Sequence, residues 1–549
     1  MDGSTTATAP GAGPAPALAA LLTRVETAFD RAFGQAGNPW RHLGGLAFFL
    51  FWIVAATGIY VYIGFDTRAD GAWKSVERMS TNAFPAGSLT RSLHRYASDA
   101  FVLVALLHLL REWVRGRYAH FRRYSWLTGV ATVWLLFASG IGGFWLVWDR
   151  LAQYSLIATA EWLDALPAFD GALVRNFIAT GAVNDRLFSL LIFVHIGLPL
   201  ALLATMWLHL QRLSRPASSP PRALSWGTLG TLVLLSLAWP VASDAPANLA
   251  LAPGTLALDW FYLAPHAFAD RTSQLTLWLV AGGFTLLLVA LPYLSRAGRA
   301  PRPAAAVVAL SNCNGCARCF ADCPYAAVTM QPRTDGRPHL RQAVVDADLC
   351  AGCGICAGAC PSSTPFRSVG DLITGIDMPQ LPIDALRATL EAALARIAGD
   401  AADVPTAPRI VVFGCPPQRA SADLAAIADA RTAAVSLLCA AQLPPSFVEY
   451  ALRAGADGVL VAGCRDGDCT FRLGNRWTDE RLAGAREPHL RSAVPPERVR
   501  IAWVGRDDSG ALAAALDAFR ADLALHAART IDAPPPKRSE QAHVAAPSR

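Results

Sequence analysis

Six long apolar stretches, at 43–63, 93–114, 126–148, 188–211, 224–243 and 273–295, dominate the first part of the chain. Each approaches or exceeds the ~20 residues that carry a helix across a ~30 Å hydrocarbon core at ~1.5 Å per residue. The pattern therefore predicts six transmembrane helices, of which the fifth, SWGTLGTLVLLSLAWPVAS, is the weakest because Pro240 sits near its end. Beyond residue 405 the pattern changes. Short apolar runs (RIVVFGC, AAVSLLC, GVLVAGC, RVRIAWVG) alternate with helical patterns such as SADLAAIADA and PSFVEYALRAG. That alternation predicts an α/β domain with a parallel sheet. The linkers SRAGRAPRPAAA and GDAADVPTAPR mark boundaries. Residues 1–37 and 526–549 read as disordered or, for the first, amphipathic. The first twenty residues have no basic segment ahead of an apolar core and do not resemble a signal peptide.

Composition sharpens this division. The chain has 549 residues, 53% hydrophobic and only 16% charged, too apolar for an ordinary soluble protein. A net charge of +6 is modest, and no basic run is interleaved with aromatics, so nothing points to nucleic acid. Arginine sets an orientation. Arg111, Arg115, Arg117, Arg122 and Arg123 lie at or after the end of the second span, Arg212, Arg215 and Arg222 follow the fourth, and Arg296, Arg299 and Arg302 the sixth. The loop after the third is acidic, with Asp149, Glu161, Asp164, Asp170 and Asp185. The positive-inside rule then places both termini in the cytoplasm of a bacterial inner membrane. All twelve cysteines lie beyond residue 312, hence on that reducing side, where metal ligation is favoured over disulfides.

Four histidines fall within the spans. His94 and His108 are 14 residues apart in the second, as are His195 and His209 in the fourth. Fourteen residues make roughly 3.9 helical turns, so each pair shares one face, roughly 21 Å apart along the axis. Both helices run inward, which sets His94 level with His195 near the outer side and His108 level with His209 near the inner side. Two levels of paired neutral imidazoles are what two bis-histidine haems require.

With these histidines, residues 38–300 resemble the cytochrome b family of quinol-oxidising complexes. The resemblance implies a diheme four-helix bundle, here with two further transmembrane helices, and allows a homodimer as in cytochrome b complexes. It implies that Arg91 pairs a haem propionate. It also implies that Gly44 and Gly58, and Gly129 and Gly143, each 14 apart, let a haem edge approach the backbone. The segment GGFWLVWDR resembles the end of the family's third helix. Leu258-Asp259-Trp260-Phe261 stands where the family has the quinol motif Pro-Glu-Trp-Tyr. Asp259 is the expected quinol proton acceptor, one methylene shorter than the family's glutamate, and the proline and tyrosine are absent. The chain has no Rieske-type pattern and no CxxCH site.

The runs CNGCARCFADCP and CAGCGICAGACP each read C-x2-C-x2-C-x3-C-P. Three close cysteines and a fourth from the other run wrap a cubane. Cys313, Cys316, Cys319 and Cys360 are assigned to one [4Fe-4S] cluster, and Cys350, Cys353, Cys356 and Cys323 to the other. Zinc sites more often show two separated C-x2-C pairs. Residues 308–370 resemble a bacterial two-cluster ferredoxin, with an α+β fold.

Cys415, Cys439, Cys464 and Cys469 remain, three of them at the ends of expected strands. Loops at the carboxyl ends of parallel strands converge, so the four thiols can meet. AGADGVLVAGCRDGDC and GCRDGDCTFRLGNRW closely resemble the delta subunit of methyl-viologen-reducing hydrogenase, over 408–525 within a domain read as 405–525. The resemblance implies a [2Fe-2S] cluster that relays electrons between a partner dehydrogenase and a flavoprotein. The family's first C-x-x-C is here Cys415-Pro-Pro-Gln418, leaving four cysteines. Neither a G-x-G-x-x-G after a strand nor a P-loop occurs.

These readings converge on a membrane electron-transfer subunit, a quinone- or quinol-linked oxidoreductase component. Two haems b, two [4Fe-4S] clusters and one [2Fe-2S] cluster would link the quinone pool to a cytoplasmic dehydrogenase or flavoprotein. The alternative is a structural anchor or docking subunit of a hydrogenase or heterodisulfide-reductase-like complex.

Overall fold

The structure is a computed structural model that describes residues 16–81, 86–169, 171–174, 183–252, 254–259, 261–367, 372–399, 407–415, 421–505 and 510–532. Trp260, Gln418 and the first fifteen residues lie outside the described residues, as does 533–549. The chain divides into two compact units. One is Met1–Pro303 with Pro324–Ala327 and Asp348–Ala351, and the other is Ala304–Cys323, Val328–Ala347 and Gly352–Arg549.

The first unit is helical. Its elements are α1 (Pro16–Gly37), α2 (Leu43–Gly64), α3 (Ala72–Ser80), α4 (Gly87–Val114), α5 (Arg123–Val147), α6 (Arg150–Asp164), α7 (Asp185–Leu210), α8 (Arg222–Ala238), α9 (Ala264–Arg271), α10 (Gln274–Leu294) and the single turn α11 (Arg296–Arg299). Side-chain caps start several of them. Asp149 accepts from the Ala152 amide, Asn184 from those of Arg186 and Leu187, and Ser273 from that of Thr276. Helix α2 packs against α4 and α5 against α7, around a core that includes Leu50, Phe51, Phe101, Leu136 and Leu202.

Outward faces are also apolar. Phe193 is 74% exposed, Leu286 71% and Ile63 70%, a surface that suits hydrocarbon and not water. Among the described residues, four helices have the length and hydropathy to cross a bilayer: Leu43–Gly64, His120–Val147, Asp185–Leu210 and Gln274–Leu294. Two of the six expected spans thus fall short on these criteria. Helix α4 is 28 residues long but carries Arg91, Arg95, Asp99, Arg111 and Glu112. Helix α8 has 17 residues and stops before Pro240, whose ring cannot continue it.

Of residues 1–37, read as disordered or amphipathic, Pro16–Gly37 is a helix. Its Glu26 is fully buried and accepts from Arg111 Nε at 2.8 Å and from Arg115. Asn38 ties the end of α1 down by donating to the Glu26 carbonyl at 2.9 Å and to Asp30 at 2.7 Å. No local pattern reveals partners 85 residues away. The tail is likewise helical at its start, since the last helix runs to Asp532.

The second unit begins with two antiparallel ribbons. Strand β1 (Val307–Val308) belongs with a later partner, while β2 (Val328–Pro332) pairs with β3 (Arg341–Val345) from Val328↔Val345 to Pro332↔Arg341. The partner of β1 is β4 (Ile376–Asp377). Between them lie the short helices α12 (Arg318–Asp322) and α13 (Ile355–Ala359), which pack together. Helix α14 (Ile383–Gly399) leads to a four-stranded parallel sheet. Its strands are β5 (Ile410–Gly414), β6 (Thr432–Ser436), β7 (Gly458–Cys464) and β8 (Val499–Val504), in the order β6-β5-β7-β8. Every residue of β5 and β7 is buried, as continuous apolar runs in the middle of a parallel sheet should be. Helices α15 (Ser421–Ala426), α16 (Pro445–Arg453), α17 (Gly474–Leu482) and α18 (Ala511–Asp532) complete the unit.

Candidate redox sites

The helical unit brings each histidine of α4 against α2 and each histidine of α7 against α5. The contact point is a glycine every time. A Cβ added at Gly58 would lie 2.9 Å from His94 Cε1, and one at Gly143 3.2 Å from His195 Cε1. At Gly129 the distance to His209 Cε1 is 3.2 Å, and at Gly44 the distance to His108 Cε1 is 3.5 Å. The nearest atoms at these glycines therefore belong to imidazole rings. His94 and His195 lie within electrostatic reach of one another, and so do His108 and His209.

The glycines let the rings reach backbone carbonyls. His94 Nδ1 is 3.0 Å from the Val54 carbonyl, four residues before Gly58. His195 Nδ1 is 3.1 Å from that of Ser139, four before Gly143. A carbonyl only accepts, so Nδ1 must carry the proton, and the Nε2 lone pair is left free. This is the tautomer an axial haem ligand needs. Hydroxyls also reach the rings, Thr57 at His94 Nδ1 and Thr128 at His209 Nδ1, each at 3.1 Å. Sequence reading passed over Thr57 and Thr128, although both immediately precede a cradle glycine. The repeated Thr-Gly pair is the signal that would have found them.

Arg91 donates to the Ser80 hydroxyl and, at 3.4 Å, to the Val241 carbonyl. Asp259 is engaged locally. One of its oxygens accepts from the Phe261 amide at 2.9 Å and the Tyr262 amide at 2.5 Å, and the other pairs with Arg95. Arg95 also pairs with Asp99 at 3.2 Å and lies over the Phe144 ring at 4.5 Å. Arg95 and Asp99 were likewise unforeseen.

Cys313, Cys316, Cys319 and Cys360 line one cavity. Burial pushes the Cys319 thiol up to about 12, and the nearby sulfurs of Cys360, Cys316 and Cys313 push the same way. Four thiols packed this closely ionise together only against a bound cation, a requirement that a metal or cluster site meets. The two runs also fold alike. Gly315 and Gly352 have φ of +67° and +68°, and Ala317 and Gly354, two positions further on, have +61° and +76°. Cys323, Cys353 and Cys356 are buried, and Cys350 is half-buried.

The last four cysteines lie as two pairs at the carboxyl edge of the parallel sheet. Cys415 follows β5 and Cys464 ends β7, the two strands between which the order reverses, and their sulfurs are 4.0 Å apart. Cys439 and Cys469 are a second pair of neighbouring free thiols, both beside Gly474. The partner thiol of Cys439 and the amides of Phe471, Gly474 and Asn475 hold the Cys469 thiol well below its ordinary range. A Cβ at Gly474 would fall 2.2 Å from Cys439 Sγ and 3.4 Å from Cys469 Sγ, so only glycine fits there. Among the described residues, no three His, Cys, Asp or Glu side chains are drawn together around a single metal ion.

Comparison with known proteins divides the chain the same way. The family "Cytochrome b/b6/petB" matches residues 31–216, the "4Fe-4S dicluster domain" 312–364, and "Methyl-viologen-reducing hydrogenase, delta subunit" 410–525. Cytochrome b6 of Oltmannsiellopsis viridis is 30% identical over 183 residues, 33% of this chain and 83% of that protein. Cytochrome b6 of Gracilaria tenuistipitata var. liui is 29% identical over the same shares. A solved structure titled "Hyperthermophilic respiratory Complex III" overlaps 49% of this chain and 80% of its own at 20% identity, with a TM-score of 0.39, too low to carry weight. The three families together make the chain a fusion of helical and iron–sulfur modules, a membrane electron-transfer subunit and component of an oxidoreductase.

Proposed function

The chain belongs to the cytochrome b family through its helical unit, and from that premise we propose that it connects the quinone pool to a cytoplasmic redox partner. His94 with His195 and His108 with His209 would hold two haems b in a four-helix arrangement of α2, α4, α5 and α7. The observation that carries this reading is the pair of Nδ1 contacts with backbone carbonyls, which leave Nε2 free on His94 and His195. Gly44, Gly58, Gly129 and Gly143 admit the rings, and Arg91 is the partner proposed for a propionate. Bound haem and iron–sulfur clusters supply one-electron redox chemistry.

Cys313, Cys316, Cys319 and Cys360 would hold one [4Fe-4S] cluster, and Cys350, Cys353, Cys356 and Cys323 the other. Cys415, Cys439, Cys464 and Cys469 would hold a [2Fe-2S] cluster. Asp259 is the proposed quinol proton acceptor, and to serve it must exchange its ion pair with Arg95 for the incoming proton. The basic loops face the cytoplasm of a bacterial inner membrane, and a dehydrogenase or flavoprotein docks on the sheet domain.

An optical and EPR redox titration of the purified protein, with a quinol analogue as reductant in parallel, tests the reading. Two b-type haems reducible by quinol are expected. Purified protein without haem overturns it.

A further inference from the structure

Within the C-terminal unit, one buried side chain touches the backbone beside cysteines of two different sites. Arg481, on α17, is 1% exposed. Its guanidinium donates to the Ala441 carbonyl at 2.7 Å, two residues after Cys439. It donates to the Ile355 carbonyl at 3.4 Å, two residues after Cys353. It also pairs with the Asp322 carboxylate at 2.5 Å, one residue before Cys323. Arg486 takes the other Asp322 oxygen at 2.7 Å and lies 3.4 Å over the Trp477 ring, whose Nε1 donates to the Asp322 carbonyl at 3.0 Å.

The backbones beneath this clamp are in contact. A Cβ at Gly358 would lie 2.1 Å from the Ala441 carbonyl oxygen, and one at Gly354 2.9 Å from Gln442 Cγ. Cys353 and Cys439 share one buried cluster with Ile355, Ala441, Leu473 and Trp477. By contrast, the cavity of Cys313, Cys316, Cys319 and Cys360 is lined only by residues between Cys313 and Ile376.

We propose that Arg481 is a positioning residue that fixes the Cys353 loop against the Cys439 loop, so that the second ferredoxin site, and not the first, is the neighbour of the sheet-domain site. The chain then hands electrons between its ferredoxin and sheet domains across the Cys353–Cys439 junction. This rests on the cluster assignments above. Arginine suits the task because its planar fork bonds several acceptors at once, which a lysine ammonium does not reproduce.

The test is EPR of the full-length, dithionite-reduced holoprotein, with iron content measured on the same samples. In the native chain, the signal of the sheet-domain cluster is expected to show spin–spin broadening from one ferredoxin cluster. Arg481→Met should lose that broadening at unchanged iron content. Arg481→Lys keeps the charge against Asp322 but loses the fork, and should retain only part of the broadening, which keeps the test open if the methionine variant does not accumulate. Unchanged broadening in either variant, or none in the native chain despite a third cluster signal, overturns the junction alone. Iron content matching the two ferredoxin clusters, with no third signal, overturns the sheet-domain cluster and the junction with it.

Discussion

In the helical unit, the candidate ligands stand on long helices and are aimed by the neighbouring helix's backbone. His94 and His195 each hydrogen-bond a backbone carbonyl four residues before a glycine, His209 meets the Thr128 hydroxyl, and no ionic clamp is needed. In the C-terminal unit, the candidate ligands stand on loops, and a guanidinium–carboxylate pair that is 1% and 2% exposed braces two of those loops. The contrast has a physical origin. A packed helix is already rigid, so a side chain on it is placed by a cradle and one hydrogen bond. A loop has no such internal order, and its position must be imposed by bonds from outside. A buried ion pair does this at a high desolvation cost, which is offset only when several hydrogen bonds converge on it.

Variants can break this comparison on either side. The largest effect is expected from Arg481→Met, which leaves Asp322 with Arg486 alone. It should lower the stability of the C-terminal unit by about 3 kcal/mol. The urea midpoint of iron–sulfur absorbance reads this, while haem absorbance should be unaffected. Next comes Gly358→Ala, whose methyl meets a backbone oxygen at 2.1 Å. Overpacking of that kind costs about 1–3 kcal/mol and should move the same midpoint.

On the helical side the cradles themselves are graded. Gly58→Ala presses on His94 at 2.9 Å, whereas Gly44→Ala meets His108 at an ordinary 3.5 Å. The first should cost about 1–2 kcal/mol and lower the content of one haem, and the second should leave both haems in place. Pyridine haemochrome content separates these outcomes. The smallest effect is expected from Thr57→Val and Thr128→Val. Each loses a hydroxyl contact worth about 0.5–1.5 kcal/mol, and at His94 the bond to the Val54 carbonyl remains. A small shift in haem midpoint potential with full occupancy is the expected result, and loss of haem would show that the hydroxyls, not the carbonyls, orient the rings.

Legibility followed periodicity. The strands 410–414, 432–436, 458–464 and 499–504 lie in or largely within the four apolar runs, because a strand buried on both faces must be apolar throughout. The histidine spacing was equally visible, since residues 14 apart return to one helix face. Two further features were not visible. Helix α1 begins in an Ala- and Pro-rich stretch, and the buried Glu26 owes its place to Arg111 and Arg115, far along the chain. Helix α4 reads as an apolar run only from residue 93, and the charges along it find partners in the fold.

The sequence alone determined the kinds of ligand and their local spacing: imidazoles one helix face apart, thiols in tight runs, glycines set opposite them. Those follow from helix and loop geometry, which neighbouring residues encode. Tertiary structure decided everything that needs two distant segments at once. It set which ring nitrogen is protonated, since the accepting carbonyl is on another helix. It engaged Asp259 with Arg95 and with the turn that follows it. It also placed Cys353 beside Cys439, because the strand order and a single buried guanidinium, neither encoded locally, bring those two loops together.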